Sequence, residues 1–465
     1  MAAEGKGMDG VGTEGADFLP SRDLHHLRVR SSPSLNKVET GLENIARALG
    51  VSEKGKDGER EIIFDEKAQD GDEDELDDEE ESGEAFEMSC VRNWLTGLVA
   101  SDLDWINSDN QEIQEVEQRR QEAVSRAAEL LAVCAGKSAS GQSRVRYSFS
   151  TPSGIFSVRS QEATLTDDAL GGRTWGAAPL LLQHLLNDEE TRRSLSLDSH
   201  SLERRGCPLR ILEIGAGTGL VGLGLAVAMG QRLSEGQDCI EDGVNLRLVL
   251  TDHHPTVLSN LVTNVALNGI KTGDAVHVRR LDWQAIYDAE AGEKTSSTYS
   301  SKAQTLPSES ESSMDSAWLE PLPLEEGSVD ILIAADCVYD TLHPTWIRAV
   351  AEKYLRRPSA NATDSEGQRQ NGGIMHMISP LRSTHTAEME AIYNTFPSRS
   401  PQAIDRPQQQ EERVERGLVM MAEAELKGFD DFGPPRLRLG SHAQRPRKMG
   451  GTQTMYRRFE VQWQS

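Results

Sequence analysis

Short apolar runs and amphipathic stretches alternate along the second half of the chain. Each run has the length of a buried strand, and each following stretch repeats apolar residues every three or four positions, as one face of a helix does. Strands separated by helices are typical of an α/β fold with a doubly wound, mainly parallel sheet. The predicted strands cover residues 209–214, 246–250, 275–281, 329–335, 374–379 and 455–463, and the predicted helices cover residues 180–186, 220–229, 255–267 and 345–355.

A different pattern precedes this region. Apolar residues at helical spacing in 91–98 and again in 116–131 predict a small helical module that packs on the domain that follows. Alternating apolar and polar residues on both sides of a turn signal at 151–154 then predict a β-hairpin. We therefore expect a helical module plus hairpin over residues 89–170, ahead of the main domain at 171–465.

Polar stretches flank and interrupt these elements. Residues 1–88 are rich in Gly, Ser, Asp and Glu, and such a segment buries too little apolar surface to offset its ordering entropy. They are predicted to form a disordered acidic tail with one short helix near residues 42–49. The stretches 287–323 and 357–373 are predicted to be surface insertions. The Gln-, Glu- and Arg-rich stretch from residue 402 predicts a helix that continues to residue 426.

Composition narrows the possible partners. The 465-residue chain carries a formal net charge of -26, which disfavours nucleic acid and anionic membranes. The charge suits a basic protein partner, and solubility alone explains it about as well. Five scattered cysteines without Cys-x-x-Cys spacing predict neither a disulfide framework nor a zinc site. The N-terminus lacks the apolar core of a signal peptide. We expect a soluble, cytoplasmic protein, with a monomer favoured, that binds neither nucleic acid nor membrane.

A glycine-rich loop follows the first of the predicted strands of the sheet. Gly215, Gly217 and Gly219 remove side chains that would keep a ligand away, and the next helix offers free N–H groups. Two ligand classes fit this pattern. The Gly-x-Gly-x-x-Gly spacing that begins at Gly217 suits a dinucleotide. In contrast, Glu213 would repel a pyrophosphate and favours the ammonium group of S-adenosylmethionine. Asp252 ends the second strand, where a carboxylate accepts ribose hydroxyls in either class of site.

Four motifs occur in an informative order. The loop at 213–219 reads Glu-Ile-Gly-Ala-Gly-Thr-Gly, the methyltransferase form of such a loop. A Trp-Gly pair at 175–176 precedes the first strand, an Asp-Trp pair at 282–283 follows the third, and Asp-Cys-Val-Tyr at 336–339 follows the fourth. Over about residues 144–379 and the terminal strand, the chain resembles the seven-β-strand protein-lysine methyltransferases that carry an Asp-x-x-Tyr motif.

The resemblance implies a seven-stranded Rossmann-like sheet, S-adenosylmethionine as cofactor and a lysine acceptor on a protein. Asp336 would orient the acceptor amine, and Tyr339 would wall the lysine channel. Leu-Asp-Trp at 103–105 and the domain order are similar to the fungal lysine methyltransferases of translation elongation factor 2, so a translation factor is the implied partner. The residues implied to contact the cofactor are Trp175, Glu213, Gly215, Ala216, Gly217, Thr218, Gly219, Asp252, Asp282, Trp283 and Ala335.

Other interpretations of the same residues stay open. Trp175 and Trp283 also suit a hydrophobic core, and Asp282 and Asp336 also suit helix N-caps. The adjacent histidines at 253–254 diverge from one backbone and predict no metal site. The alternative functions are methyl transfer to another protein, to histidine or to a small amine, a non-catalytic protein-binding scaffold, and a nicotinamide-dependent oxidoreductase.

Overall fold

The chain divides into two compact units. The first comprises residues 1–60, 67–140 and 432–451, and the second comprises residues 61–66, 141–431 and 452–465. The computed structural model of the protein describes residues 18–27, 33–49, 60–64, 78–101, 113–135, 142–152, 154–163, 170–194, 208–230, 246–270, 272–273, 275–290, 317–358, 372–398, 417–430, 437, 439 and 452–464.

Helices make up most of the described part of the first unit. They are α1 (Pro20–Asp23), α2 (Leu35–Ala48), α3 (Asp78–Val99) and α4 (Ile113–Cys134). Each of the three longer helices buries a stripe of apolar side chains, because joining such stripes removes them from water. The core includes Val38, Ile45, Val91, Leu95, Leu98 and Leu130.

The described part of residues 1–88 contains α2, which covers most of the short helix predicted near residues 42–49 and begins earlier, and the start of α3. Leu35, Val38, Leu42 and Ile45 are buried on one face of α2, and α3 begins at Asp78, well before the predicted module at residue 89. A helix needs an apolar residue only at every third or fourth position to form a buried face. Such a helix is therefore hard to recognise in a region whose overall composition is acidic. The Leu-Asp-Trp motif at 103–105 lies outside the described residues.

Two sheets form the second unit. The smaller has the strand order β1 (Arg60–Phe64), β2 (Ser143–Thr151) and β3 (Gly154–Glu162). The larger contains β4 (Leu209–Glu213), β5 (Leu246–Asp252), β6 (Val276–Arg280), β7 (Ile331–Ala335), β8 (Ile374–Pro380), β9 (Leu418–Asp430) and β10 (Thr452–Trp463). The helices are α5 (Ala177–Asn187), α6 (Glu189–Ser194), α7 (Leu220–Gly230), α8 (Pro255–Leu267), α9 (Trp283–Glu290), α10 (His343–Tyr354) and α11 (Thr386–Thr395).

The larger sheet has the order β6-β5-β4-β7-β8-β10-β9. Strands β4 to β8 are parallel to one another, and β10 is antiparallel to both of its neighbours, β8 and β9. Glu213 lies opposite Leu250 of β5 and Ile333 of β7, so the carboxyl ends of these strands meet at one edge. The predicted doubly wound, mainly parallel Rossmann-like sheet is confirmed, and this edge is where such sheets bind ligands.

The predicted helix that continues to residue 426 is wrong in its described part. Residues 418–430 form β9, which pairs with β10 along its whole length. Met, Ala, Glu, Leu and Lys favour helices locally, but Leu418, Val419 and Met420 are buried in the sheet. Tertiary burial therefore overrides local propensity, and β9 supplies the seventh strand that the sequence pattern alone does not predict.

The hairpin of β2 and β3 lies in the second unit, whereas α3 and α4, which are predicted in the same extension over residues 89–170, lie in the first. Asn264 of α8 and Asn268, which follows the last residue of that helix, pair with the free edge of β3. Asn268 accepts from the N–H of Arg159 and donates to its carbonyl oxygen, at 2.9 and 2.8 Å. Asn264 does the same with Gln161, at 2.7 and 3.3 Å. Side-chain amides thus replace a neighbouring strand and fix the hairpin to the main domain.

Both ends of the insertion predicted at residues 287–323 have regular structure. Residues 287–290 complete α9, and residues 317–319 form a 3-10 turn. Residues 291–316 and 359–371 lie outside the described part of the chain. Among the described helices, none combines the length and the apolar character that a membrane span requires.

Candidate active site

The glycine-rich loop joins β4 to α7 in a conformation that suits glycine. Gly215, Gly217 and Gly219 have φ values of 58°, 56° and 79°, which L side chains adopt only with strain. The loop is held by a hydrogen bond of 2.8 Å from the N–H of Ala216 to the carbonyl oxygen of Thr251 in β5. A Cβ at Gly215 would lie 2.8 Å from Cys337 Sγ, so this position has no room for a side chain.

Glu213 ends β4 beneath the start of α7. Its side chain is buried, and Oε2 accepts a 2.9 Å hydrogen bond from the N–H of Gly222. Burial, which penalises the charged form, and to a lesser extent the nearby Asp252 carboxylate raise the pKa of Glu213 to about 8, although the hydrogen bond from Gly222 lowers it. This carboxyl group occupies the helix start that a pyrophosphate would use in a dinucleotide site.

Asp252 ends β5 beside the glycine-rich loop. Its carboxylate accepts hydrogen bonds from three backbone N–H groups, those of Gly217 at 3.1 Å, His253 at 2.8 Å and His254 at 3.2 Å. A carboxylate has about four acceptor positions, so a ribose that uses both oxygens must share or replace one of these bonds. Burial raises the pKa of Asp252 above its ordinary value.

Asp282 and Trp283 lie at the start of α9. Asp282 Oδ1 accepts a 3.0 Å hydrogen bond from the N–H of Ala285, which makes Asp282 the N-cap of this helix. The indole of Trp283 is partly exposed and lies 3.2 Å from the position of a Cβ on Gly215. The tryptophan therefore borders the glycine-rich loop, and the aspartate holds the helix that carries it.

The segment before α5 lies against the same loop. The hydroxyls of Thr174 and Thr218 are 2.7 Å apart and buried. A Cβ on Gly217 would lie 3.0 Å from the carbonyl oxygen of Gly171. Trp175 follows and is partly exposed. The segment thus brings Trp175 towards the loop, whereas the Thr218 hydroxyl faces Thr174.

The loop after β7 carries the two residues predicted to be catalytic. Ala335, the last residue of β7, is followed by Asp336, which has a φ of 54° and is the only described non-glycine residue with a positive φ. Such strain persists only where the surroundings enforce it. The N–H of Asp336 donates to the carbonyl oxygen of Ile378 at 3.0 Å. Because α10 has Leu342 at its N-cap position, Asp336 is not the cap of that helix.

Tyr339 projects from this loop with 62% of its surface exposed. Its ring meets that of His343 edge to face, with the centroids 4.3 Å apart. The Sγ of Cys337 donates a 3.2 Å hydrogen bond to the carbonyl oxygen of Ile214. The predicted catalytic loop and the predicted cofactor loop are therefore in direct contact.

Some residues that build the site are not among those the sequence predicts. Cys337 and His343 hold the loop after β7, and Asn264 donates a 3.0 Å hydrogen bond to the carbonyl oxygen of Thr218. Asn260, Asn264 and Asn268 recur at every fourth position, which puts them on one face of the helix. This spacing is a sequence signal that could have identified Asn264. Among the described residues, no group of three His, Cys, Asp or Glu side chains could hold a metal ion.

The site residues fit S-adenosylmethionine. The glycine-rich loop forms a side-chain-free cradle next to the Trp283 indole. The Asp252 carboxylate ends the neighbouring strand, as recognition of a ribose requires. The buried Glu213 carboxyl suits a ligand with a positive charge, since such a ligand would favour the ionised form of this group.

Comparisons with known proteins agree with this chemistry. Residues 158–297 match the model of a family described as lysine methyltransferase. The chain is 28% identical over 307 residues to protein-lysine N-methyltransferase rrg1 of Schizosaccharomyces pombe, a match that covers 65% of this chain and 74% of that protein.

A second relative is less fully covered. The chain is 26% identical over 281 residues to protein-lysine N-methyltransferase EFM2 of Saccharomyces cerevisiae, a match that covers 60% of this chain and 49% of that protein. The matched part is thus about half the length of that relative. Among solved structures, that of P. horikoshii TYW2 in complex with MeSAdo is 9% identical, with a TM-score of 0.25 and coverage of 59% of this chain and 62% of that one.

Proposed function

We propose that this S-adenosylmethionine-dependent enzyme, a lysine methyltransferase by family, methylates a lysine of translation elongation factor 2. The observation that carries the proposal is the contact between the glycine-rich loop and the loop of Asp336 and Tyr339, through Cys337 Sγ and the carbonyl oxygen of Ile214. This contact supports a methyl donor and an acceptor amine meeting at one point, at the carboxyl ends of β4 and β7.

The residues around the glycine-rich loop would bind the cofactor. Gly215, Ala216 and Gly217 would present backbone atoms to it, and Asp252 would accept its ribose hydroxyls. Trp283 would border its adenine, with Trp175 and Ala335 nearby. An ammonium group close to Glu213 would favour the ionised carboxylate and so lower its raised pKa. When bound, S-adenosylmethionine supplies a methyl group on a positively charged sulfur that leaves with the electrons of the broken C–S bond.

The acceptor amine must be uncharged to form the new N–C bond, although a free lysine has a pKa of about 10.4. Asp336 would accept a hydrogen bond from the amine and orient its lone pair towards the methyl group. The proton of the lysine ammonium leaves to solvent before the transfer. Tyr339 would contact the amine with its hydroxyl or with its ring face, which attracts cations and so would stabilise the positive charge that the nitrogen gains in the transfer. Positioning of this kind supplies much of the rate, because it replaces a bimolecular encounter.

Several observations support elongation factor 2 as the substrate. The resemblance to fungal enzymes of this type includes a helical module ahead of the hairpin, and α3 and α4 form such a module. The net charge of -26 suits a basic partner. A translation factor would also make the cytoplasm the place of action.

A label-transfer assay tests this proposal. Purified full-length chain and methyl-labelled S-adenosylmethionine are added to a lysate of cells that lack the enzyme, and labelled proteins are identified by mass spectrometry. We expect one labelled protein, elongation factor 2, modified on lysine by the wild type and not by Asp336→Asn. If a different protein is labelled, that protein and not elongation factor 2 is the substrate. An absence of label, despite measured binding of S-adenosylhomocysteine, would contradict lysine transfer.

A further inference from the structure

His343 begins α10 and is buried, with 8% of its surface exposed. Its Nδ1 lies 3.0 Å from the carbonyl oxygen of Cys337. A carbonyl oxygen only accepts hydrogen bonds, so Nδ1 carries the hydrogen and donates it. Burial lowers the pKa of His343 below its ordinary value, which keeps the imidazole neutral near pH 7.

The imidazole also touches aromatic rings on both sides of the site. Its centroid is 4.3 Å from that of Tyr339 and 5.8 Å from that of Trp283, and both contacts are edge to face at 88°. The indole of Trp346 lies behind it, 5.4 Å away. One buried side chain therefore contacts the ring assigned to the lysine channel, the ring assigned to the adenine and the backbone between Asp336 and Tyr339.

We propose that His343 is a positioning residue for methyl transfer. Its hydrogen bond holds the loop from Asp336 to Tyr339, and its edge-to-face contact supports the Tyr339 ring. This inference rests on the proposed function. Asp336 adopts a left-handed conformation that residues with a side chain rarely take, so its surroundings must enforce it. The bonds of its own N–H, of Cys337 Sγ and of the Cys337 carbonyl oxygen do so, and the last depends on His343.

The two contacts of His343 can be removed separately. His343→Asn keeps an N–H near the position of Nδ1 and removes most of the ring. His343→Phe keeps a ring against Tyr339 and removes the donor. His343→Ala removes both. His25→Asn serves as a control, because His25 is exposed in the first unit.

The steady-state kinetics of these full-length variants separate the two roles. We expect His343→Phe and His343→Ala to lower kcat by roughly 10- to 100-fold, since small misplacements of reacting groups have effects of that size. His343→Asn retains kcat within about threefold and raises KM for the protein substrate, because binding loses the Tyr339 support. Equal losses of kcat in the Asn and Phe variants, or full kcat in the Phe variant, would overturn the inference.

A second measurement does not depend on turnover. Hydrogen exchange of the backbone over residues 331–342 is followed with S-adenosylhomocysteine bound. The amides of this loop exchange faster in the Phe and Ala variants and at the wild-type rate in the Asn variant. Unchanged exchange in a folded Phe variant would overturn the inference. If the wild type modifies no lysine but these exchange differences appear, the proposed substrate chemistry fails and the positioning role of His343 stands.

Discussion

The Sγ of Cys337 donates a hydrogen bond of 3.2 Å to the carbonyl oxygen of Ile214. This bond joins the loop after β7 to the loop after β4, two strands that are neighbours in the sheet. A buried thiol is a weak donor, but here it also fills the space that the missing side chain of Gly215 leaves. The loop proposed to bind the acceptor amine and the loop proposed to bind the cofactor therefore pack directly on each other.

This close approach makes Gly215 intolerant of a side chain. Gly215→Ala should destabilise the protein and weaken binding of S-adenosylhomocysteine by roughly tenfold, about 1.4 kcal/mol, because the new Cβ displaces Cys337 or Trp283. Calorimetric titration measures the affinity, and urea unfolding measures the stability.

Gly327 offers a matched control for that substitution. Its φ is 64°, close to that of Gly215, and a Cβ there would meet nothing within 4 Å. Gly327→Ala should therefore show only the strain of a left-handed alanine, roughly 1–2 kcal/mol, with unchanged affinity. Equal effects of the two substitutions on affinity would show that the contact with Cys337 and Trp283 is unimportant.

The pKa of Glu213 predicts a pH dependence of stability. Its folded pKa of about 8 exceeds its ordinary value of 4.5, so the folded state binds the proton more tightly. The stabilising contribution is complete below pH 4.5 and is lost as the pH rises through 8. Between pH 5.5 and 8.5, the wild type should lose on the order of a few kcal/mol relative to Glu213→Gln, measured by urea unfolding without ligand. Parallel changes in the two proteins would show that Glu213 is ionised in the folded state.

The asparagines of α8 should be essential for the position of the hairpin. Asn264 is fully buried and bonds to Gln161 and to the carbonyl oxygen of Thr218. Asn264→Ala removes the partner of the Gln161 N–H and a donor to the Thr218 carbonyl oxygen, whereas the Gln161 carbonyl oxygen keeps its bond from Asn260. We therefore expect a loss of roughly 2–4 kcal/mol in unfolding free energy and faster exchange of the Gln161 amide.

Thr263→Ala in the same helix tests the specificity of that loss. The Thr263 hydroxyl bonds only to the carbonyl oxygen of Ser259 within the helix, and its removal should change stability by about 0.5 kcal/mol or less. A similarly small effect of Asn264→Ala would contradict a structural role for the strand-like pairing.

The sequence predicts those elements of the site that depend only on residues close together in the chain. The buried strands β4, β5 and β7 and the helix Pro255–Leu267 follow from short apolar runs and helical spacing. Strand β9 does not, because its helix-favouring residues become a strand only through pairing with β10. Similarly, no local signal shows that Cys337 meets Ile214 or that His343 reaches Cys337, since both contacts depend on how neighbouring strands align.

In the proposed mechanism, Asp336 acts on the acceptor amine and not on the cofactor. The most direct test compares wild type, Asp336→Asn and Asp340→Asn with the protein substrate that the label-transfer assay identifies. Asparagine tolerates the left-handed backbone of Asp336 and removes only the charge. Asp340 is a suitable control because its Oδ1 accepts a 2.8 Å hydrogen bond from the N–H of Leu342, a role that the oxygen of asparagine can fill.

Single-turnover methyl transfer and the affinity for S-adenosylhomocysteine are measured on the same preparations. We expect Asp336→Asn to lower the transfer rate by roughly 100-fold or more, as loss of a key polar contact in a transition state does, with affinity within about threefold of the wild type. Asp340→Asn should retain most of the rate. A rate above about one tenth of the wild type in Asp336→Asn, which is a barrier change below about 1.4 kcal/mol, would contradict the assigned role of Asp336.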